Sequence, residues 1–596
     1  MFIDREVKDK EDLKFIMLIF ELPWLSRQRT PEESELSLTV FRSRINFVNK
    51  FITYRLSRQQ QSDDRHQHIA YQTDPPIQAA ARVMQIFFKA NQPDERSAAS
   101  STNGPNSHSE IYGKRRASAR DGFVIIPRNK TPTLNPQKVP VDEFYNMMVD
   151  IINLPLDFLA WESRSSSRFA FCQYPFLISM GAKTQIMAWD AKRQMELKMQ
   201  KTIEALIIEK RQKVTEAIQN GNTSVMNGNT LLTPQELQRA PLLILHVHRN
   251  NLIEDSLRQL SMHDSDLKKS LRIEFVGEDG IDAGGLRKEW FLLLVRQLFD
   301  PQYGMFVYDD QSHYCWFNPA SFESLDQFYL VGVVIGLSIY NSTILDLPLP
   351  LAVYKKLLHS PMTSSPMTLH DLAMFRPDLA RGFEQLLLYE GEDVEDVFCL
   401  SFVGSYEAYG EVKEVPLIPN GDNIPVTHYN KHEYVERYCN FIINTSIDEQ
   451  FDSFRKGFYV VCGGHALSLF RPEEIESLVR GSAEPLDLDQ LRSVTVYEGF
   501  HDQNEVIQNF WSIFKEFDDK DQRRLLQFIT ASDRYPATGI ANLNFKITCI
   551  GSQDSDRFPT SHTCFNQLCL YNYRGRDKLK RMLIRAMNES EGFGVK

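Results

Sequence analysis

One cysteine near the end of the sequence has neighbours that could make it a nucleophile. Cys564 follows His562 by two residues in "PTSHTCFN", and a thiolate beside an imidazole can attack a carbonyl carbon. The alternating segments "LNFKITCI" and "FNQLCLYNY" predict a strand on each side. A turn at Pro559, Thr560 and Ser561 would deliver the cysteine to a strand end. The alternative is an ordinary buried cysteine that packs as a small apolar residue.

Composition excludes several other functions. The net charge of -11 and the pI near 5.8 argue against a nucleic-acid binder that relies on bulk charge. The eight cysteines are scattered without a CxxC pair, which fits neither a disulfide framework nor a zinc site and indicates a reducing compartment. His246 and His248 have no further ligand cluster beside them, so we expect no metal site and no cofactor.

A glycine-rich turn at 277–285 has only a superficial likeness to a phosphate-binding loop. It lacks the P-loop and dinucleotide patterns, and its acidic residues would repel a phosphate, so nucleotide binding is disfavoured. The longest apolar run, from Phe328 to Tyr340, is too short to span a bilayer and is typical of a buried core helix. No signal peptide heads the sequence. These observations predict an intracellular protein, cytoplasmic and/or nuclear, without a membrane span.

Periodicity divides the first 240 residues into three parts. Residues 1–56 predict an N-terminal helical segment. Residues 57–137 are polar and aperiodic, apart from one apolar patch at 79–88, and predict a largely disordered linker. Residues 138–240 predict a helical extension, with one helix that breaks at Pro155 and a long helix after it.

From residue 241 onward the pattern of strands and helices is continuous. The segment around Gly499 has no helical period, and a compact final block that begins with two helices follows it. We therefore expect a break at 497–500, between a larger block at 241–496 and a smaller one at 501–596.

Nine motifs between Leu242 and Lys596 resemble the HECT-type ubiquitin ligase domain and follow its order. Each is modest evidence alone, but together they are specific. The segment 175–195 also resembles the helical region before that domain in papillomavirus-associated-type HECT ligases, whereas the first 140 residues match no family that we recognise. The motifs are "FVGEDGIDAGGLRKEW", "GMFVYDD", "WFNPASF", "VGVVIGLSIYNSTILDLPLP", "NIPVTHYNKHEYV", "QFDSFRKGF", "LLQFITASDRYP", "PTSHTCFNQL" and "GFGVK".

The resemblance implies an α+β fold. A bilobal HECT domain, with a large and mostly helical N-lobe and a small α/β C-lobe, would follow a helical, partly disordered N-terminal region. Residues 241–496 would form the N-lobe, which docks a ubiquitin-conjugating enzyme, and residues 501–596 the catalytic C-lobe. The hinge between them would consist of Tyr497, Glu498, Gly499 and Phe500.

The resemblance also implies the chemistry. Cys564 would accept ubiquitin as a thioester and pass it to a substrate lysine, so the partners are ubiquitin, a conjugating enzyme and protein substrates. His562 would favour the thiolate, and Phe593 matches a family phenylalanine needed for transfer to lysine. Asp554 and Asp556 are candidates to deprotonate the lysine, with simple surface solvation as the alternative. The counterparts of the family's apolar docking groove are Leu379, Phe383, Tyr389 and Tyr434.

Two other functions remain open at this point. One is a non-catalytic scaffold of the ubiquitin pathway, against which the intact "PTSHTCFN" argues. The other is a cysteine hydrolase acting on ubiquitin, which would need a histidine and an Asn or Asp oriented for attack by water. No hydrolase signature surrounds Cys564.

Overall fold

The computed structural model describes residues 31–60, 67–91, 139–163, 169–219, 232–278, 285–345, 347–358, 368–482, 484–530, 532–537 and 539–589. The chain divides into two compact units, Met1–Ala182 and Lys183–Lys596. The predicted helical extension at 138–240 is therefore not one domain, because the boundary between the units falls inside it.

The first unit is helical where it is described. Asn146 caps its third helix by accepting hydrogen bonds from the backbone N–H groups of Met148 and Val149. The same amide donates to the carbonyl oxygen of Asn49 at 3.0 Å, which fixes the third helix on the first. The helices α1 to α4 are Pro31–Gln60, Pro75–Asn91, Met147–Ile151 and Leu154–Glu162.

A buried carboxyl group organises the end of this unit. Asp157 is fully buried and accepts hydrogen bonds from the hydroxyl of Tyr71 at 2.8 Å and from the backbone N–H of Cys172 at 2.9 Å. Burial raises the pKa of Asp157 and that of Tyr71. Because its acceptors are paired, the buried group is tolerated and ties α4 to the segment that follows it.

The structure differs from the predicted linker at 57–137. Helix α1 continues to Gln60, and a 3-10 helix (Gln67–Thr73) and α2 follow. The apolar patch at 79–88 supplies the reason, because Met84 and Phe87 are completely buried and offset the entropy cost of ordering. The rest of the predicted linker, 61–66 and 92–137, lies outside the described residues.

The second unit combines many helices with small sheets. Its helices, α5 to α20, are Met180–Gln219, Pro234–Arg239, Leu252–Met262, Gly285–Leu298, Leu325–Tyr340, Leu351–Leu358, Leu369–Ala373, Pro377–Leu388, Val394–Phe398, Lys431–Ile443, Asp448–Cys462, Pro472–Arg480, Leu488–Val494, Glu505–Glu516, Asp519–Thr530 and Arg576–Glu589. Its strands, β1 to β10, are Leu242–Val247, Ser270–Phe275, Phe306–Tyr308, Cys315–Phe317, Val403–Ala408, Glu411–Pro416, Val496–Glu498, Lys546–Gly551, Thr560–His562 and Gln567–Tyr571.

The strands form three pairs and one larger sheet. β1 pairs with β2 in parallel, whereas β3 with β4 and β5 with β6 are antiparallel. The larger sheet has the order β7-β8-β10-β9, with β9 antiparallel to β10 and the other neighbours parallel. The last quarter of the chain therefore builds its own four-stranded sheet.

The apolar run at 328–340 forms most of the buried helix α9, as its composition predicts. Its contact with α15 depends on glycine, because a Cβ atom on Gly332 would lie 2.0 Å from the carbonyl oxygen of Phe454. A Cβ atom on Gly457 would lie equally close to the carbonyl oxygen of Tyr329. Among the described helices, none combines the length and the hydropathy needed to cross a membrane.

Within the second unit, a buried ion pair joins Lys183 of α5 to α16. The ammonium of Lys183 lies 2.8 and 2.9 Å from the two carboxylate oxygens of Glu474, and both side chains are almost completely buried. Glu474 also accepts a hydrogen bond from the backbone N–H of Arg471 at the start of α16. Removing either partner would leave a buried charge, so this pair ties α5 to α16.

The C-terminal block has a core of its own, which begins before the predicted break at 497–500. Leu488 and Leu491 of α17 belong to the same buried cluster as the residues of α18, α19 and α20. Tyr497 lies in β7, and its hydroxyl accepts a hydrogen bond from the indole of Trp511 at 2.9 Å. This cluster therefore includes residues on both sides of the predicted break, and the hinge at 497–500 stays a prediction. The segment lacks a helical pattern because β7 is short and ends at Glu498, before Gly499 with φ +73°.

Candidate active site and docking cleft

Cys564 is the middle residue of a turn between two paired strands. The 3-10 turn Thr563–Phe565 joins β9 to β10, and His562 pairs with Gln567 where the turn begins and ends. Asn566 closes the turn in the left-handed region, at φ 50° and ψ 43°, and its amide donates to the carbonyl oxygen of Leu543. The observed turn lies later than the predicted one, because Thr560 and Ser561 belong to β9 and pair with β10. Strand pairing and one left-handed residue place it at the rim of the sheet.

Two helices lie beside this turn. Helix α19 of the C-terminal block and helix α8 from earlier in the second unit both approach the residues Thr563–Phe565. The turn is therefore a place where two parts of the second unit meet, although Phe565 itself remains half exposed.

A row of polar groups crosses the sheet next to the turn. The side-chain amide of Gln567 donates to the hydroxyl of Thr548 at 2.6 Å, and that hydroxyl donates to Glu498 at 3.0 Å. Lys546 lies 2.8 Å from the same carboxylate, and this contact lowers the pKa of Glu498. The row connects β10, β8 and β7, and so it fixes the strand that follows Cys564 relative to its neighbours. Glu498, predicted as a hinge residue, has this structural contact instead.

The predicted helpers of Cys564 differ in their placement. His562 ends β9 with an exposed side chain that forms no hydrogen bond to a described residue, so it is available to a partner. Asp554 and Asp556 both contact the ammonium of Lys578, at 3.0 and 2.8 Å. The backbone N–H of Arg574 and this lysine hold the pKa of Asp554 below its usual range, which makes it a weak proton acceptor.

Most other described cysteines are unsuited to nucleophilic chemistry. Burial raises the pKa of Cys315 to about 11 and those of Cys439 and Cys462 to about 12, so these thiols stay protonated. Cys569, on β10, is also buried and has a raised pKa. Among the described side chains Cys399 is the exposed exception.

Two of the four predicted groove residues are in contact, and the four differ in exposure. Phe383 and Tyr434 are buried and meet edge to face, with ring centroids 6.0 Å apart, and burial raises the pKa of Tyr434. Leu379 is half buried on α12. Tyr389, just after α12, is also half buried and donates from its hydroxyl to Asp393 at 2.7 Å, which raises the pKa of Tyr389.

A cleft of about 510 Å³ opens beside these residues. Its rim is apolar and strongly exposed, because Leu388 and Tyr429 have 79% and 88% of their surfaces accessible. Lys431 and His428 lie deeper in the same cleft. These four residues were not predicted from the sequence, since their exposure and their convergence follow only from how α12 packs on α14. We call this feature the docking cleft.

Comparison with known proteins identifies the family. A family model described as "HECT-domain (ubiquitin-transferase)" matches residues 292–596, which is just over half of the chain and includes both the docking cleft and Cys564.

The chain belongs to the HECT family.

Three similar proteins are named as probable ubiquitin ligases. A probable E3 ubiquitin-protein ligase named mug30 from Schizosaccharomyces pombe is 35% identical over 93% of this chain and 63% of its own length. The probable ligase HECTD2 of Mus musculus is 42% identical over 78% of this chain and 58% of its length. HUL4 of Eremothecium gossypii, also named a probable ligase, is 40% identical over 77% of this chain and 55% of its own length. The HECT chain described here thus spans about 60% of the length of the curated relatives it matches.

Two other sequence predictions concern this HECT domain. Phe593 lies outside the described residues. His246 and His248 each contact a carboxylate, Glu274 at 3.2 Å and Asp255 at 2.7 Å, which occupies their ring nitrogens. Within the described part of the chain, no group of three histidine, cysteine or acidic residues converges in a way that could hold a metal ion.

Proposed function

We propose that this chain is a HECT-type ubiquitin ligase that carries ubiquitin as a thioester on Cys564 and transfers it to lysine side chains. One observation supports this proposal above the others: Cys564 lies in the turn between β9 and β10, at the rim of a sheet, inside the region that matches the family model. A buried structural cysteine would be placed within a core, as Cys569 is on the neighbouring strand.

The chemistry needs positioning more than acid–base strength. In the first step the Cys564 thiolate attacks the thioester carbonyl carbon of charged conjugating enzyme, and the enzyme's cysteine leaves as a thiolate. One thioester forms as another breaks, so the step is nearly balanced in free energy. In the second step a lysine amine attacks, the Cys564 thiolate leaves, and the amine loses a proton to a base. His562 is the better candidate for contact with these groups, because Asp554 and Asp556 both contact Lys578.

The organisation in two lobes is part of this proposal. The separate core of the C-terminal block, which starts at Leu488, supports a small catalytic lobe of about 110 residues. The joint then lies between Arg480, where α16 ends, and Leu488, and Gly481 follows the helix with φ +78°. Backbone hydrogen bonds between Ser482 and Tyr535 attach this joint to the small lobe in the conformation observed. Transfer between two partners requires this lobe to move, and a pivot next to Gly481 permits that movement.

The partner of the docking cleft would be the conjugating enzyme. An exposed apolar rim beside buried aromatic residues is typical of a surface that receives an apolar loop. Acidic residues follow α12 in the sequence, among them Glu390, Asp393 and Glu395, and Glu390 lines the cleft. A partner with a basic surround to its apolar loop would fit both features.

The proposal is tested by reconstituting the transfer. The chain is mixed with activating enzyme, a panel of conjugating enzymes, ubiquitin and ATP, and products are separated with and without a thiol reductant. We expect a ubiquitin adduct that the reductant removes, together with ubiquitin attached to lysines, and Cys564→Ala should abolish both. Failure to form an adduct with any conjugating enzyme would favour a scaffold role and contradict the proposal.

A further inference from the structure

A lysine is buried in the docking cleft and forms no ion pair with a described residue. Lys431 is only 4% exposed, and its ammonium donates hydrogen bonds to the backbone carbonyl oxygens of Leu387 at 3.0 Å and Tyr389 at 2.6 Å. No ion pair joins it to an acidic residue in the part of the chain that the structure describes. Burying an ammonium group costs free energy because the group loses its hydration. The hydrogen bonds to these two carbonyl groups offset that cost.

The position of Lys431 in its own helix strengthens this conclusion. Lys431 is the first residue of α14, where the partial positive charge of the helix end disfavours a cation. Its ammonium, however, reaches the C-terminal end of α12, where the last carbonyl groups have no partner within the helix and the partial charge is negative. Lys431 therefore acts on α12.

The two bonded carbonyl groups stand on either side of the most exposed apolar residue of α12. Leu388, at 79% exposure, is held between Leu387 and Tyr389. An ammonium has three donors, and Lys431 uses two of them on described residues. His428 in the same cleft has a buried Nδ1 atom without a hydrogen-bond partner among the described residues. The cleft thus combines a fixed apolar rim with polar atoms that can still pair.

We propose that Lys431 is a positioning residue for the docking of the conjugating enzyme. It holds the end of α12 so that Leu388 and Tyr389 are already in place when an apolar loop of the partner arrives. The inference rests on the proposed function, since the partner is the conjugating enzyme. A rim that is ordered in advance lowers the entropy cost of binding, and so the effect of Lys431 falls on affinity and not on the rate of thioester exchange.

The test measures single-turnover loading of the full chain from conjugating enzyme that already carries ubiquitin, over a range of enzyme concentrations. Lys431→Met removes both hydrogen bonds, and we expect the half-saturating concentration to rise about tenfold, while the maximal loading rate stays within about twofold. Lys431→Arg can still donate to both carbonyl groups and should restore most of the affinity. Lys431→Gln keeps one donor group, and its half-saturating concentration should lie between those of the Met and Arg variants. It takes the place of the Met variant in the test if that variant is poorly folded.

Lys356 provides a matched control. Its ammonium is also largely buried and donates to the carbonyl oxygen of Ile443 at 3.1 Å and to Asn444 at 2.8 Å, at the opposite end of α14. Lys356→Met should therefore lower thermal stability about as much as Lys431→Met and leave the half-saturating concentration unchanged. If the half-saturating concentration rose equally in both variants, the effect would be a general structural one and the inference would be overturned.

A second donor separates docking from chemistry. Ubiquitin offered as the thioester of a small thiol needs no conjugating enzyme, so Lys431→Met should load from it at the wild-type rate. The positioning role would be overturned if Lys431→Met also loaded more slowly from this donor. It would also be overturned if the variant kept the wild-type half-saturating concentration of conjugating enzyme. If the wild-type chain loads from neither donor, the proposed function fails, and this inference fails with it.

Discussion

His562 and Gln567 pair across the β9–β10 hairpin, and the residues between them include Cys564. This relationship places the cysteine at a sheet rim through backbone pairing. The position of the thiol then depends on residues that shape the turn, which can be changed without altering the nucleophile itself.

Asn566 is the first such residue. It holds a left-handed conformation that costs most residues about 1–2 kcal/mol, and its amide also bonds to Leu543. We expect Asn566→Ala to slow loading of Cys564 several-fold in single-turnover assays, and Asn566→Gly to slow it less. Asn420 has a similar φ of 61° far along the chain from the turn. Asn420→Ala should leave the loading rate unchanged. If Asn420→Ala slowed loading as much as Asn566→Ala, a specific role of the turn would be contradicted.

Gly499 tests where the C-terminal block begins. Its φ is +73°, and an added Cβ atom would lie 3.0 Å from the Cβ of Cys549. Gly499→Ala should therefore lower the stability of the C-terminal block by about 1–3 kcal/mol in urea unfolding. Gly410 has a similar φ of +81°, but an added Cβ atom there would meet no neighbour within 4 Å. Gly410→Ala should therefore lower the free energy of unfolding by less than Gly499→Ala. If Gly499→Ala slowed transfer without loss of stability, the hinge would lie at 497–500 after all.

Asp554 tests the base for the second step. The backbone N–H of Arg574 and the ammonium of Lys578 lower the pKa of Asp554. The stability that its charge contributes is therefore fully present above the pKa of the unfolded state. It is lost only as pH falls through the lower pKa of the folded state. Between about pH 6 and about pH 9 it stays ionised and does not titrate. We expect Asp554→Asn to leave the pH profile of discharge to free lysine unchanged over this range. A shifted profile would identify Asp554 as the proton acceptor.

The docking cleft predicts different effects for exposed and buried residues. Leu388→Ala should raise the half-saturating concentration of charged conjugating enzyme about three- to tenfold and leave the unfolding midpoint unchanged, because Leu388 is on the rim. Tyr434→Ala should instead destabilise the second unit by about 3–5 kcal/mol, because it removes a buried ring. A stable Tyr434→Ala variant with weakened docking alone would show that the sequence-based groove is the better description.

The sequence predicts features that depend on neighbouring residues. Alternation on either side of Cys564 correctly predicts β8 and β10, and the apolar run at 328–340 correctly predicts a buried helix. The turn predicted at Pro559 to Ser561 is wrong in place, because Thr560 and Ser561 pair with β10 as part of β9. The predicted break at 497–500 does not coincide with a change in packing, because β7 gains its order by pairing with β8, almost fifty residues later. Lys431 escaped prediction for a similar reason, since its role depends on two carbonyl groups more than forty residues earlier.

The most direct test of the account is to locate the ubiquitin adduct. The chain is loaded from charged conjugating enzyme, quenched in acid, digested without reductant and analysed by mass spectrometry. We expect the ubiquitin remnant on the peptide that contains Cys564, as a bond that reductant breaks, and in Cys564→Ser an ester that resists reductant. An adduct on the exposed Cys399 instead, or none on any cysteine, would contradict the account.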